Sequence, residues 1–172
     1  MTAFHAVLAF VAAQRGVELW LSARNANRLK REGGVEVGQG HYPLFFLVHG
    51  AWFASLVFGV PTDAALRIWA LALFVLVQIG RVWVMVSLGR YWTTRVITLP
   101  GRPLVRRGPY RLIRHPNYAV VVAEIALVPM IASAWWIAVV FSVLNGLLLA
   151  QRVRVENRAL APRRDLPSDA AI

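Results

Sequence analysis

The residues best suited to chemistry lie between Gly89 and Tyr118. This segment is dense in arginine, and its four prolines exclude one continuous helix: Pro100, Pro103, Pro109 and Pro116. Gly108-Pro109-Tyr110, followed by Arg114-His115-Pro116-Asn117-Tyr118, brings an imidazole and two phenols next to rigid turns. A pocket built from these groups could hold a charged, aromatic small molecule on the water side of a membrane while an apolar partner arrives from the lipid.

Other chemistries are excluded by residue type or spacing. The chain has no cysteine, which rules out a thiol nucleophile, a disulfide and a zinc-thiolate site. Neither a phosphate-binding GxxxxGK[ST] loop nor a Gly-x-Ser-x-Gly elbow is present. His5, His41 and His49 lack metal-ligand spacing, so we expect no metal. The run from Glu36 to Gly40 imitates a dinucleotide-binding turn, but no apolar strand precedes it, and we predict a flexible loop.

The elements that position these residues are transmembrane helices. Of the 172 residues, 58% are hydrophobic, and a crossing needs about 20 mainly apolar residues. Ala3–Leu21, Leu44–Val60 and Ala65–Leu88 qualify. Tyr118–Ala150 would reach about 50 Å as one helix. We therefore expect Pro129 to split it, with a tight turn over Pro129–Ser133. The fold prediction is an all-α integral membrane protein with about five transmembrane helices, the last two forming a short hairpin.

The basic residues indicate the orientation in the membrane. Of 19 Lys and Arg, 16 lie in residues 22–43, 89–117 and 150–172, whereas the turns at 59–64 and 129–133 hold none. Since short cytoplasmic loops retain Lys and Arg, the N-terminus should lie outside and the C-terminus in the cytoplasm. The Arg- and Ala-rich composition points to a GC-rich bacterial genome, and hence to the bacterial inner (plasma) membrane. We expect one membrane domain over 1–172: three helices in 1–88, then the arginine-rich loop, hairpin and C-terminal helix in 89–172.

Several polar residues interrupt the apolar segments. Arg15 and Glu18 are three apart, beside Gln14, and can form an ion pair that offsets the cost of burying either charge. Arg81 and Glu124 are likewise charged residues within apolar segments, and Glu124 has no obvious local partner. Two interpretations stay open for these residues: structural pairs that fix helix packing, or part of a substrate passage.

The chain resembles the isoprenylcysteine carboxyl methyltransferase-like membrane methyltransferases, which are also related to the phospholipid N-methyltransferases. The matching blocks are Leu104-Val105, Gly108-Pro109-Tyr110, Arg114-His115-Pro116-Asn117-Tyr118 and Arg152-x-x-x-Glu156-Asn157-x-x-Leu160. The N-terminal half resembles a bacterial branch that methylates polyketide alkylpyrones, through Arg15-Gly16-Val17-Glu18-Leu19, Arg24-Asn25 and His41-Tyr42-Pro43. Arg102-Pro103 departs from the His-led pair of relatives, and the small residue that often follows the His-Pro-x-Tyr block is Ala119 here, a mild change.

The resemblance implies a pocket for S-adenosylmethionine and an Arg152 that contacts the acceptor. The implied cofactor-binding residues are Leu104, Val105, Tyr110, His115, Pro116, Asn117, Tyr118 and Glu156. Elementary chemistry is compatible with these roles, because Arg152 and Glu156 are four apart and share one helix face. A carboxylate stabilises a bound cation, and aromatic faces add cation-π attraction.

Methyl transfer from a sulfonium needs positioning more than covalent catalysis. A carboxylate or an acidic enol arrives ionised, and Arg152 could orient it without a general base. A less acidic phenol needs a base, with His115 or Glu156 as the first candidates. We therefore expect O-methylation of a lipophilic polyketide, alkylpyrone or carboxylate-bearing small molecule.

The main alternative is a non-enzymatic membrane scaffold or lipid-binding protein, whose basic face only contacts anionic headgroups. A transporter is disfavoured because no inverted repeat is visible. The expected partners are a lipophilic small molecule and membrane lipids. Nucleic acid is not expected, since the basic residues flank helices and do not form a separate folded reader.

Overall fold

The computed structural model describes residues 3–164 and 166, and this part of the chain is built mainly from five α-helices. They are α1 (Ala3–Arg31), α2 (Tyr42–Gly59), α3 (Ile68–Leu88), α4 (Pro116–Ile131) and α5 (Trp135–Leu160). All except α4 are long and apolar enough to cross a membrane. The predicted helical membrane class agrees with this architecture. The rest of the predicted domain, residues 1, 2, 165 and 167–172, lies outside the described residues.

The hairpin between α4 and α5 differs in detail from the prediction. Pro129, expected to break the helix, lies inside α4, which ends two residues later at Ile131. The helix can continue because the proline ring holds φ near the helical value. The chain then reverses at residues 132–134, where Ser133 has a positive φ of 58° and the amide of Ala134 donates to the carbonyl of Pro129. The turn therefore begins slightly later than predicted.

A small antiparallel sheet joins two connections that are distant in sequence. β1 (Val35–Val37) pairs with β2 (Val96–Thr98), with Glu36 opposite Ile97. The prediction of a flexible loop over residues 36–40 is wrong for this part, because three residues are too few to show a strand pattern in the sequence. Glu36 also accepts from Lys30 Nζ at 2.5 Å and from Arg95 at 2.7 Å. These contacts fix the connection between α1 and α2 against the loop that follows α3.

The apolar core occupies the end of the bundle where α1, α3 and α5 begin and α2 and α4 end. Its members come from all five helices and include Phe4, Leu8, Leu56, Phe74, Ile125, Ile131, Ile137 and Phe141. Outside this core, the helices expose many large apolar side chains, among them Leu76, Ile79 and Val86 of α3. Exposed apolar surface of this extent is expected of helices that face lipid.

Charged side chains form a layer in the middle of the bundle. Arg81 of α3 donates to Glu18 of α1 at 3.0 Å and, through Nε, to Glu124 of α4 at 2.8 Å. Arg15 contacts both carboxylates, so its predicted ion pair with Glu18 is present, and Gln78 donates to Glu124. Two arginines thus balance two glutamates, which removes most of the cost of burying each charge. Glu124, without a local partner in the sequence, finds its partners on α1 and α3.

Candidate functional site

The end of the bundle opposite the apolar core contains a cavity of about 720 Å³. Its walls come from the loop between α3 and α4, the last turns of α5, the beginning of α4 and Leu29 of α1. This volume lies within the usual range of about 300–1,000 Å³ for small-molecule pockets. The cavity therefore lies between two stretches that are distant in sequence.

Gly108 determines how the loop approaches α3. Its φ is +56°, and a Cβ atom at this position would lie 2.1 Å from Ser87 Oγ and 3.1 Å from Trp83 Nε1. Only glycine can occupy this position without moving the neighbouring helix. The close approach leads into the 3₁₀ turn Gly108–Arg111, which contributes Tyr110 to the cavity wall.

Tyr118 and Glu156 meet across the cavity. The Tyr118 hydroxyl donates a hydrogen bond to Glu156 Oε2, and Arg152 Nε donates to the same hydroxyl at 2.8 Å. His115 stacks on the Tyr118 ring with centroids 5.3 Å apart, and its Nδ1 lies 3.8 Å from Glu156 Oε1. The beginning of α4 and the end of α5 therefore share one connected set of polar side chains.

Arg152 lies between aromatic rings, with no acidic partner among the described residues. Its guanidinium is 5.1 Å from the ring centroid of Phe45 and 5.6 Å from that of Tyr118. It also donates to the carbonyl of Thr94, whose hydroxyl is 2.8 Å from both Tyr42 Oη and Ser22 Oγ. Helices α1 and α2 thus help to orient Arg152, and its positive charge is left to act on the contents of the cavity.

Comparison with known proteins identifies the family. The family model "Isoprenylcysteine carboxyl methyltransferase (ICMT) family" matches residues 70–162. This range contains the loop, α4 and α5, and it supplies nearly all of the cavity wall. The chain belongs to the ICMT family. "Uncharacterized protein YpbQ" of Bacillus subtilis (strain 168) is 39% identical over 163 residues, covering 91% of this chain and 96% of that protein. No solved structure matches the chain significantly.

The structure brings together eight of the nine residues that the sequence assigns to an ICMT-family site. The cavity is lined by Leu104, Val105, Tyr110, His115, Asn117, Tyr118, Arg152 and Glu156. Pro116 is buried at the first position of α4 and is not part of the lining. Its contribution to the site is to start the helix that presents its two successors.

The groups in this ICMT-family cavity fit S-adenosylmethionine. The amide oxygen Oδ1 of Asn117 is buried and has no hydrogen-bond partner among the described residues, and it can accept from an amino or hydroxyl group. Glu156 supplies a negative charge for a cationic ligand. Burial, with a smaller contribution from the negative charge of Glu156, raises the pKa of Tyr110 above its ordinary value. Tyr110 therefore stays a neutral phenol whose ring can face the ligand.

Other residues of the site were missed by the sequence reasoning. Phe45 and Thr94 contact Arg152, and Asn157 Oδ1 lies 3.3 Å from His115 Nε2. Trp92 is almost fully buried in the cavity wall. Asn157 adjoins Glu156 in the sequence block and could have been found there. The contacts of Phe45 and Thr94 depend on helix packing, and no pattern in the sequence indicates them.

Proposed function

We propose that this ICMT-family protein is an S-adenosylmethionine-dependent methyltransferase that transfers the methyl group to an oxygen of a lipophilic acceptor. The observation that carries the proposal is the contact of Tyr118 with Glu156 and Arg152 at the wall of one cavity. This contact joins the two family blocks at a single site. The acceptor class we favour is a polyketide, an alkylpyrone or a carboxylate-bearing small molecule.

The charge of the cavity supports an anionic acceptor. Among the residues that the structure describes, seven arginines line the cavity, against a single glutamate and no aspartate. S-adenosylmethionine has a net positive charge, and its single carboxylate accounts for only part of this excess of arginine. Arg152 is the best placed to bind an oxyanion, because its described contacts are a carbonyl, a phenol and two rings. Its planar guanidinium can hold an oxyanion through two parallel N–H groups.

The protein's part in the reaction is binding and orientation. When bound, S-adenosylmethionine supplies an electrophilic methyl group on a positively charged sulfur. Arg152 orients the acceptor oxyanion, and the cavity wall excludes water from the reacting groups. An acceptor that arrives ionised needs no general base. For a neutral phenol, His115 and Glu156 are the groups placed to accept its proton, since both line the cavity and their nearest atoms are 3.8 Å apart.

The membrane gives the acceptor its route. We place the cavity at the cytoplasmic surface of a bacterial inner membrane, with the N-terminus outside and the C-terminus inside, on the basis of the distribution of Lys and Arg. An apolar acceptor dissolved in the bilayer then reaches the cavity sideways, between helices. The cofactor reaches it from water.

The experiment that tests this function is incubation of the detergent-solubilised protein with methyl-labelled S-adenosylmethionine and a lipid extract of its host. We expect label in a lipophilic product, which mass spectrometry would identify. Arg152→Lys keeps the charge but not the planar fork, so labelling should fall by about 10- to 100-fold, as for the loss of one charge-assisted hydrogen bond. Arg154→Lys is the matched control, because Arg154 is an exposed arginine on the same helix.

The outcomes separate the two functional classes. Labelling that depends on Arg152 but not on Arg154 supports an enzyme. If no lipid gains label and the purified protein also fails to bind S-adenosylhomocysteine, the enzyme proposal is wrong. A non-enzymatic lipid-binding protein would then explain the basic face. Arg152→Lys keeps the charge and would not change the binding of lipid by such a protein.

A further inference from the structure

One surface segment next to the cavity combines charge and apolar exposure. The lip, which we define as Arg111, Leu112, Ile113 and Arg114, connects the 3₁₀ turn to α4. The side chains of Leu112 and Ile113 are 77% and 50% exposed. Arg111 and Arg114 line the cavity and are exposed, and within residues 3–164 no hydrogen bond or ion pair joins either guanidinium to another residue. The lip therefore presents, on either side of an apolar pair, two cations with no partner among the described residues.

Helix lengths place the lip at the depth of the membrane boundary. The far ends of α3 and α4 are level, because the amide of Arg67 donates to the carbonyl of Ile131 at 2.8 Å. With 21 residues α3 is about 31 Å long, whereas the 16 residues of α4 reach only about 24 Å. The beginning of α4 therefore lies about 7 Å deeper than the end of α3, and only His115 separates the lip from it.

The packing of the loop also places it below the end of α3. Gly108 lies against Ser87 and Trp83 of α3, so the loop runs beside the last turns of that helix and not above them. A hydrocarbon core of about 30 Å matches the length of α3. Leu112 and Ile113 are therefore at the level of the first acyl carbons, and the guanidiniums beside them can reach the phosphates.

We propose that the lip is a binding site for an anionic phospholipid, with Arg111 and Arg114 on the headgroup phosphate and Leu112 and Ile113 against the upper acyl chains. Charge selects this occupant, because two arginines with no acidic partner in the described part of the chain favour a lipid with net negative charge over a zwitterionic one. The apolar pair favours a lipid over a free phosphate. Arg111 and Arg114 also line the cavity, but phospholipid retention tests the lip without methyl transfer, so the proposed function can fail while this site stands.

The first experiment measures lipid selection by the purified full-length protein. The protein in detergent is equilibrated with equal amounts of phosphatidylglycerol and phosphatidylcholine, and bound lipid is counted by native mass spectrometry. We expect wild type to retain phosphatidylglycerol preferentially. Arg111→Gln with Arg114→Gln should weaken this retention by about five-fold for each arginine removed. The matched control, Arg154→Gln with Arg158→Gln, removes the same charge from exposed positions on α5 and should retain the preference.

Two results of that experiment would overturn the proposal. One is an equal loss in the control pair, which would make the preference an effect of net charge. The other is displacement of phosphatidylglycerol by glycerol phosphate or inorganic phosphate at similar concentrations, which would show that acyl contacts contribute nothing.

The second experiment measures how deep the lip lies in the membrane, and its result does not depend on the affinity for any one lipid. The chain has no cysteine, so Leu112→Cys or Ile113→Cys carries a single fluorophore in reconstituted vesicles. We expect quenching by lipids that are spin-labelled high on the acyl chain and protection from iodide in water. Arg31→Cys, at the exposed end of α1, is the aqueous control and should show the reverse pattern. A label on the lip that iodide quenches as strongly as the control would place the lip in water and refute the proposed site.

Discussion

Replacing Glu156 with glutamine should weaken cofactor binding while leaving the fold intact. The substitution keeps the shape of the side chain but removes its negative charge. In the wild type, Glu156 Oε2 accepts a hydrogen bond from the Tyr118 hydroxyl, and Oε1 lies 3.8 Å from His115 Nδ1. A hydrogen bond to a charged group contributes about 1.5–3 kcal/mol. The Glu156 side chain is 23% exposed, so solvent reduces this contribution, and we expect the lower part of that range. Affinity for S-adenosylhomocysteine should therefore fall by about 10- to 30-fold.

Isothermal titration calorimetry on detergent-solubilised protein measures this change for S-adenosylhomocysteine and S-adenosylmethionine separately. The loss should be larger for S-adenosylmethionine if Glu156 faces the sulfonium. Tyr118→Phe keeps the carboxylate and removes a neutral hydroxyl, so its effect should be smaller, about five-fold. Glu32→Gln removes another carboxylate, which pairs with Arg28 outside the 720 Å³ cavity, and should leave both affinities unchanged. A folded Glu156→Gln protein with wild-type affinity for both ligands would refute the assignment of Glu156.

Three further predictions concern the elements that support the site. Gly108→Ala forces a Cβ against Ser87 Oγ at a positive φ and should destabilise the protein by about 1–3 kcal/mol, seen as a lower melting temperature. Glu124→Gln leaves two arginines, buried Arg81 and the adjacent Arg15, with Glu18 as their single acidic partner among the described residues. Thermal unfolding in detergent should show that the free energy of unfolding falls by about 3–5 kcal/mol. Burial alone would raise the pKa of Glu36, but two basic neighbours outweigh it and hold the pKa below 4.5. Its stabilisation is therefore complete above pH 4.5 and is lost as the pH falls through the folded-state pKa. Melts over a pH series should show this loss in wild type and not in Glu36→Gln.

The meeting of Tyr118 with Glu156 could be predicted from the sequence. The blocks that contain them stand at the beginning and the end of a predicted helical hairpin, and both ends of a hairpin lie at the same membrane surface. This inference depends on residue order alone, which helix packing does not alter.

Contacts across helices could not be predicted in the same way. Glu124 finds Arg81 and Arg15 only because three helices are rotated to face one another at one depth, and no local spacing encodes that rotation. Phe45 contacts Arg152 for the same reason. The pairing of Glu36 with Ile97 was missed because a strand of three residues leaves no periodic signal.

The charged layer in the middle of the bundle has a consequence for biogenesis. The ribosome releases α1 and α3 before α4, and until then Arg81 and Arg15 have only Glu18 to neutralise them. An arginine without a counter-ion is costly in hydrocarbon, so α3, which contains Arg81 and no acidic residue, should not settle fully in the bilayer on its own. The arrival of Glu124 completes the charge balance, and integration of the earlier helices is thereby coupled to synthesis of the fourth.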